Sequence, residues 1–199
     1  MILDWRLTTE PVIEPLTMAQ LKAQLRATHD SEDGLFYSYL QAARQAAEEY
    51  LGRGLLTQTW TATFDDFSTA MYLPMAAPLQ TAPTAPVVTY YDTNGTLQTL
   101  ATTVYDVDVT CRPGKIALKA GQAWPAVQSN RRTARVFVAY VVGWTTASDV
   151  PERIKQGIRM HIAASDANRD GLAEDAERAS RAAYACWSDR VFWQEPDYC

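Results

Sequence analysis

The stretch LTMAQLKAQLRATHDSEDGLFYSYLQAARQAAEEYLGRGLLTQTW, residues 16–60, carries two helix signals and ends in a strand signal. Thr17 can cap a first helix with its hydroxyl, while the side chain of Gln20, three residues later, reaches back to the cap amide. After a polar turn, Ser31 is placed to cap a second helix, and Gly52 is the expected glycine stop. The stretch closes in threonines that alternate with apolar residues, which is typical of a strand with one buried face.

Apolar residues at helical spacing predict the buried faces of these helices. In the second helix the predicted stripe has small residues at its centre, which let another helix approach closely; it consists of Leu35, Tyr39, Ala43, Ala46, Ala47 and Tyr50. A third helix is predicted from Pro151, a residue favoured in a first helical turn. Its isoleucines recur every four residues, at Ile154, Ile158 and Ile162. A fourth helical stretch is predicted for residues 172–187.

The middle of the chain has strand patterns instead. A hairpin is predicted over residues 87–100, because Asn94-Gly95 supplies the positive φ angles that a tight turn requires. The strongest strand signal lies at residues 135–142, which are rich in β-branched and aromatic side chains. The sequence therefore predicts an α+β fold: a discontinuous helical domain from residues 1–54 and 146–199, interrupted by an inserted, mostly antiparallel β domain at residues 55–145.

Composition excludes several classes of function. The 199-residue chain has 23 acidic and 18 basic side chains, and its formal charge is −5. With no basic block, it does not fit a nucleic-acid binder that works by neutralising phosphates. We expect neither a secretory signal nor a membrane span, since the longest apolar run has about seven residues where a spanning helix needs about 20. The three cysteines are far apart, the two histidines are isolated, and no nucleophile or nucleotide-binding motif occurs, so we predict no catalytic residue, no cofactor and no enzyme activity.

One segment fits a calcium-binding loop. Its oxygen donors have the spacing of an EF-hand loop, with a glycine at the sixth position and a glutamate at the twelfth; the ligands would be Asp166, Asn168, Asp170 and Glu177. The alternative is a polar connection between two helices, whose acidic residues favour the positive N-terminal end of the second helix. The weaker hypothesis is thus a calcium-binding helix–loop–helix interaction module.

The C-terminus is rich in aromatic side chains. Five of the residues 184–199 are aromatic, against 21 in the 199-residue chain, and they are Tyr184, Trp187, Phe192, Trp193 and Tyr198. Such residues dominate interface energies, because each buries a large area when it docks. Two interpretations remain open: the tail folds back on its own domain, or it docks on another chain.

Several pieces in a fixed order resemble a known family. The stretch at residues 16–60 is followed by DTNGTLQTL, PGKIAL, VFVAYVVGW and VPERIKQGIRMHIAASDANRD. This order resembles that of the head–tail connector (adaptor) proteins of long-tailed bacteriophages. The similarity extends over roughly residues 15–170.

The resemblance implies a structural role in the virion neck. Such connectors form a ring, usually of twelve subunits, beneath the portal protein. The ring extends the DNA channel without binding DNA specifically, and it offers a platform for the stopper or tail-terminator protein. In relatives the C-terminal segment reaches towards the portal, so the aromatic residues of this segment are the expected portal contacts. The family needs no calcium at the corresponding segment.

Overall fold

The computed structural model describes residues 1–76, 78–82, 85–111, 113–131 and 133–167. In chain order the elements of these residues are β1 (Ile2–Thr9), α1 (Met18–Leu25), α2 (Asp33–Leu51), β2 (Gln58–Phe64), β3 (Ala70–Tyr72), β4 (Val87–Tyr91), β5 (Leu97–Thr99), β6 (Tyr105–Asp108), β7 (Lys115–Leu118), β8 (Val136–Val142) and α3 (Glu152–Ala167). Helices and strands are both present in quantity. The predicted α+β class is confirmed.

The strands form two sheets. One sheet has five strands in the order β1-β2-β8-β4-β5, and the other has three in the order β3-β7-β6. Neighbouring strands are antiparallel throughout both sheets. The predicted hairpin is present as β4 and β5, and Gly95 in its turn has a φ of 80°.

The chain divides into two compact units. The β unit comprises Met1–Pro11 and Thr57–Gly143, and the helical unit comprises Val12–Leu56 and, among the described residues, 144–167. The assignment of residues 1–11 to the helical part was wrong, because β1 pairs with β2 along most of its length. Residues 55, 56, 144 and 145, predicted within the β insertion, belong to the helical unit.

The core of the β unit follows from the alternation along its central strands. Residues opposite each other on antiparallel strands project to one face. On this face Ala62 and Phe64 of β2 meet Val138 and Val136 of β8, and all four are buried. Tyr140 on the same face is also buried, and its hydroxyl donates a hydrogen bond to the carbonyl of Pro74. The strand predicted at the end of the stretch 16–60 is thus confirmed as β2, together with its buried face.

The core of the helical unit joins all three helices. Leu21 of α1 and the isoleucines of α3 are buried in one cluster with apolar residues of α2. The capping box of α1 is confirmed, since the Thr17 hydroxyl accepts from the Gln20 amide and the Gln20 side chain accepts from the Thr17 amide. The predicted glycine stop of α2 is confirmed as well, because Gly52 adopts the left-handed conformation with a φ of 59°.

The start and the buried face of α2 differ from prediction. Ser31 does not cap the helix; its hydroxyl lies 2.8 Å from Nδ1 of His29, and the N-terminal position is Glu32, which makes no side-chain cap. Ala43 and Ala47 of the predicted stripe are buried, but Leu35 and Tyr50 are exposed, and Phe36 and Leu40 are buried instead. The periodicity was misjudged because two charged side chains share the buried face and break the apolar stripe.

Candidate functional site

The outward face of α2 carries no charge over about three turns. Between Gly34 and Ala47 the one charged residue is Arg44, and this residue is 1% exposed. The exposed face is built from small, aliphatic, aromatic and amide side chains, namely Gly34, Leu35, Tyr37, Ser38, Ala42 and Gln45. A surface helix in water normally carries charged residues on this side. The face of α2 therefore has the composition of a protein-contact surface, and we call these six residues the α2 face.

A buried ion network holds α2 in place beneath this face. The Nε of Arg44 lies 2.9 Å from Oε2 of Glu14, and its Nη1 lies 2.8 Å from Oε2 of Glu48. The other oxygen of Glu48 accepts a hydrogen bond of 2.8 Å from the amide of Leu55. All three charged side chains are less than 10% exposed. The network thus ties the segment before α1, the helix itself and the turn after it into one geometry.

The sequence offered a partial signal for this network. Arg44 and Glu48 are four residues apart, the spacing at which opposite charges meet on a helix. Their burial could not be inferred, because such pairs are ordinarily on the surface. Glu14 is 30 residues from Arg44, and no local pattern connects the two.

The aspartates of the β unit have structural partners. Asp108 accepts hydrogen bonds from the hydroxyl and the amide of Thr110, at 2.6 and 2.9 Å, and Lys115 lies 3.6 Å away. The Thr110 hydroxyl, with the thiol of Cys111, lowers the pKa of Asp108 well below its usual range. Such a carboxylate stays ionised at neutral pH, so it is suited to fixing a turn and unsuited to proton transfer.

Arg131 and His161 also have structural surroundings within the chain. The guanidinium carbon of Arg131 lies 3.6 Å from the centroid of the Tyr91 ring, and its Nε donates to the carbonyl of Ala134. His161 of α3 is partly buried, and this burial lowers its pKa. Its imidazole is therefore neutral at pH 7, as suits a histidine on a packed helix face.

The predicted calcium ligands fall mostly beyond the part of the chain that the structure describes. Asp166 lies in the last turn of α3, while Asn168, Asp170 and Glu177 are outside the described residues. Elsewhere in the described ranges, no cluster of three or more histidine, cysteine, aspartate or glutamate side chains could hold a metal ion. Calcium binding by these four residues stays a prediction.

The aromatic tail lies outside the described residues as well. This applies to all five predicted contact residues, Tyr184, Trp187, Phe192, Trp193 and Tyr198. Their role stays a prediction. Among the helices of the described residues, none is long and apolar enough to cross a membrane.

Comparison with protein families connects these features. Residues 15–84 match the profile of the phage gp6-like head-tail connector proteins. The predicted resemblance is confirmed. The connector match includes α1, α2 and β2, so it contains the α2 face together with Arg44 and Glu48 of the network, and the third member, Glu14, directly precedes the match. A comparison with curated proteins gave no match.

Solved structures that share the fold of this chain come from gene transfer agent (GTA) particles. A chain of the native GTA virion and a chain from the neck of the empty particle, computed with C6 symmetry, each have a TM-score of 0.74, 20% sequence identity and coverage of 93% of this chain and 95% of theirs. A chain from the neck of the native particle, computed with C12 symmetry, has a TM-score of 0.60, 19% identity and coverage of 86% and 94%. At this identity the similarity establishes a shared fold.

Proposed function

We propose that this chain is a structural subunit of a head–tail adaptor ring in the neck of a phage or phage-derived particle. The observation that carries the proposal is the connector match over residues 15–84, which contains the longest helix of the described residues and its uncharged α2 face. The protein acts by assembly and carries out no reaction. Its place is between the capsid portal and the tail.

In this proposal the helical unit makes the contacts around the ring. The α2 face of one copy packs against a different surface of the next copy, since a head-to-tail contact closes into a ring when the rotation fits. The buried network of Arg44 keeps the face rigid, which reduces the ordering cost of association. Twelve copies are expected, and both symmetries of the GTA necks, C6 and C12, are compatible with twelve.

The acidic balance suits a channel through which DNA must move. A lining with a net negative charge gains no free energy from counterion release, and so it does not hold the phosphate backbone. The formal charge of −5 agrees with this requirement. The ring extends the channel of the portal, and its far side is the platform for a stopper or tail-terminator protein.

We further propose that the C-terminal segment binds the portal protein. Its anchors are the five aromatic residues Tyr184, Trp187, Phe192, Trp193 and Tyr198. Aromatic side chains bury large areas at little entropy cost, and they concentrate binding energy at a few positions.

The proposed function is tested with the portal protein encoded in the same genome. The full-length chain and a chain ending at Ala183 are each incubated with assembled portal, and bound material is quantified and imaged by electron microscopy. Rings on the portal with the full-length chain, lost on truncation, are the expected result. Binding that survives truncation would keep the adaptor function and overturn the tail anchors, whereas absence of both binding and rings would overturn the function.

A matched pair of variants tests the α2 face in the same assay. Ala42→Arg places a charge on the exposed face, while Ala42→Ser keeps a small neutral side chain. Because Ala42 is exposed, both variants are expected to fold with the circular dichroism of the parent. Rings are expected with Ala42→Ser and not with Ala42→Arg. Equal assembly of the two variants would remove the α2 face from the ring interface.

A further inference from the structure

The five-stranded sheet of the β unit has two edges, each with one strand neighbour among the described residues. β1 lies at one edge and β5 at the other. An open edge presents backbone N–H and C=O groups that can pair with a strand of another chain. The sheet therefore has two places where a further strand of suitable length can be added.

Both edges carry exposed apolar side chains. On β1, Leu3 and Trp5 are 48% and 49% exposed. Trp5 pairs with the buried Ala62, so its ring lies on the core side of the sheet at its rim. On β5, Leu97 is 53% exposed, and this strand has no charged residue.

The two edges match in length. Register shifts between Ile2 and Asp4 and between Leu7 and Thr9 interrupt β1, so its regular stretch is Asp4–Leu7. Bulges of this kind limit how far a second strand can continue along an edge. β5 has three residues. A short strand such as β5 therefore fits this edge, whereas a long extended partner does not.

Direction and charge agree with a contact between copies. Four antiparallel steps separate β1 from β5, so the two strands run in the same direction. Their pairing between copies would be parallel and would join two different surfaces, the type of contact that generates rings. Because β5 is uncharged, it brings no like charge against Asp4 or Arg6 of β1.

We infer that β5 of one copy adds to the Asp4–Leu7 edge of β1 in the next copy, as a parallel pair that continues the sheet from subunit to subunit. The inference rests on the proposed ring and names a second contact within it. In the combined sheet Gln98 lies on the same face as Trp5 and Leu7, and Leu97 and Thr99 share the opposite face with Asp4 and Arg6.

Disulfide cross-linking on the assembled portal complex tests this pairing. Two variants combine Gln98→Cys with Trp5→Cys or with Leu7→Cys, in a full-length chain in which Cys186 and Cys199 are serine and the buried Cys111 is kept. Within one copy the two cysteines lie at opposite edges, about 19 Å apart at ordinary strand spacing, so they cannot bridge. Oxidation of the ring is expected to give a ladder of covalent multimers in at least one of the two variants.

The matched control combines Gln98→Cys with Asp4→Cys, whose side chain projects to the opposite face of the sheet. Its multimers are expected at no more than a tenth of the yield. Rings that form normally and give no ladder in either test variant would overturn the strand pairing and leave the adaptor function intact. Absence of rings with the parent chain would overturn both.

Hydrogen exchange on the parent chain gives a second readout that needs no substitution. The amides of Asp4–Leu7 and Leu97–Thr99 that point away from the neighbouring strand of the same copy are expected to exchange at least tenfold more slowly in the ring than in the free chain. Equal exchange in the two states would overturn the inference.

Discussion

The two units of the molecule differ in how charge is distributed through their cores. Among the described residues, the charged side chains of the interior are Glu14, Arg44, Glu48, Arg53 and Lys155, and all of them lie in the helical unit. The β unit buries Gln58 and is otherwise apolar inside. Alternating apolar side chains are sufficient to bury one face of a strand. A buried ion network, in contrast, is stable only when its charged side chains are in one specific arrangement. The difference indicates that geometry is fixed most strictly in the helical unit, which contains the α2 face.

A buried ion network is a constraint more than a source of stability. Removing charges from water costs free energy that their mutual attraction only partly returns. Separating the partners is therefore heavily penalised once the chain has folded. In the helical unit this penalty protects the position of α2, and with it the α2 face.

The largest effect is expected from Arg44→Met. This change leaves Glu14 and Glu48 buried with the interactions of Arg44 removed, and it should lower the unfolding free energy by about 3–5 kcal/mol. The measurement is urea denaturation followed by circular dichroism. Arg153→Met, at an exposed position of α3, is the matched control and should stay within about 0.5 kcal/mol of the parent.

A triple variant separates charge burial from the loss of packing. Glu14→Gln, Arg44→Met and Glu48→Gln together remove all three charges, so the chain should recover part of the loss seen with Arg44→Met alone. If the triple variant is no more stable than Arg44→Met alone, the buried charges are not what constrains the position of α2.

A smaller effect is expected at the start of α1. Thr17→Ala removes the side-chain acceptor for the Gln20 amide, and the loss of such a cap costs about 1 kcal/mol. Ser31→Ala is the matched control, because the hydroxyl of Ser31 contacts His29 and caps no helix. Urea midpoints of the two variants measure the difference. Equal effects would show that the capping box adds nothing to the helical unit.

Local signals in the sequence predicted a large part of the fold. The capping box, the Gly52 stop and the Asn94-Gly95 turn each depend on a few neighbouring residues, and such chemistry can be found from sequence alone. The isoleucines of α3 gave its buried face correctly, since they recur at every fourth position, although Lys155 is buried beside them.

The errors arose where distant residues decide the structure. β1 has a strand-like alternation, but its pairing with β2 depends on a partner more than 50 residues away. The buried face of α2 was misjudged because Arg44 and Glu48 are on it, and their burial depends on Glu14 and Leu55. The exposed α2 face was not predicted either, because the same contacts decide which side of the helix is buried. The predicted tail contacts and calcium ligands remain to be tested by experiment.

The smallest effect is expected in the β unit, where the charges are at the surface. Asp108→Asn weakens the hydrogen bonds from Thr110, so a modest fall in the melting temperature at pH 7 is predicted.

The pKa of Asp108 is depressed in the folded chain, so its contribution to stability is complete above the unfolded pKa of about 4 and is lost as the pH falls further. The parent and the variant should therefore differ at pH 7, and the difference should shrink progressively as the pH falls below about 4. Asp106→Asn is the matched control, because Asp106 is 68% exposed and contacts Lys119 at 3.6 Å. A difference that persists unchanged in acid would show that the Asp108 carboxylate does not stabilise this turn through its charge.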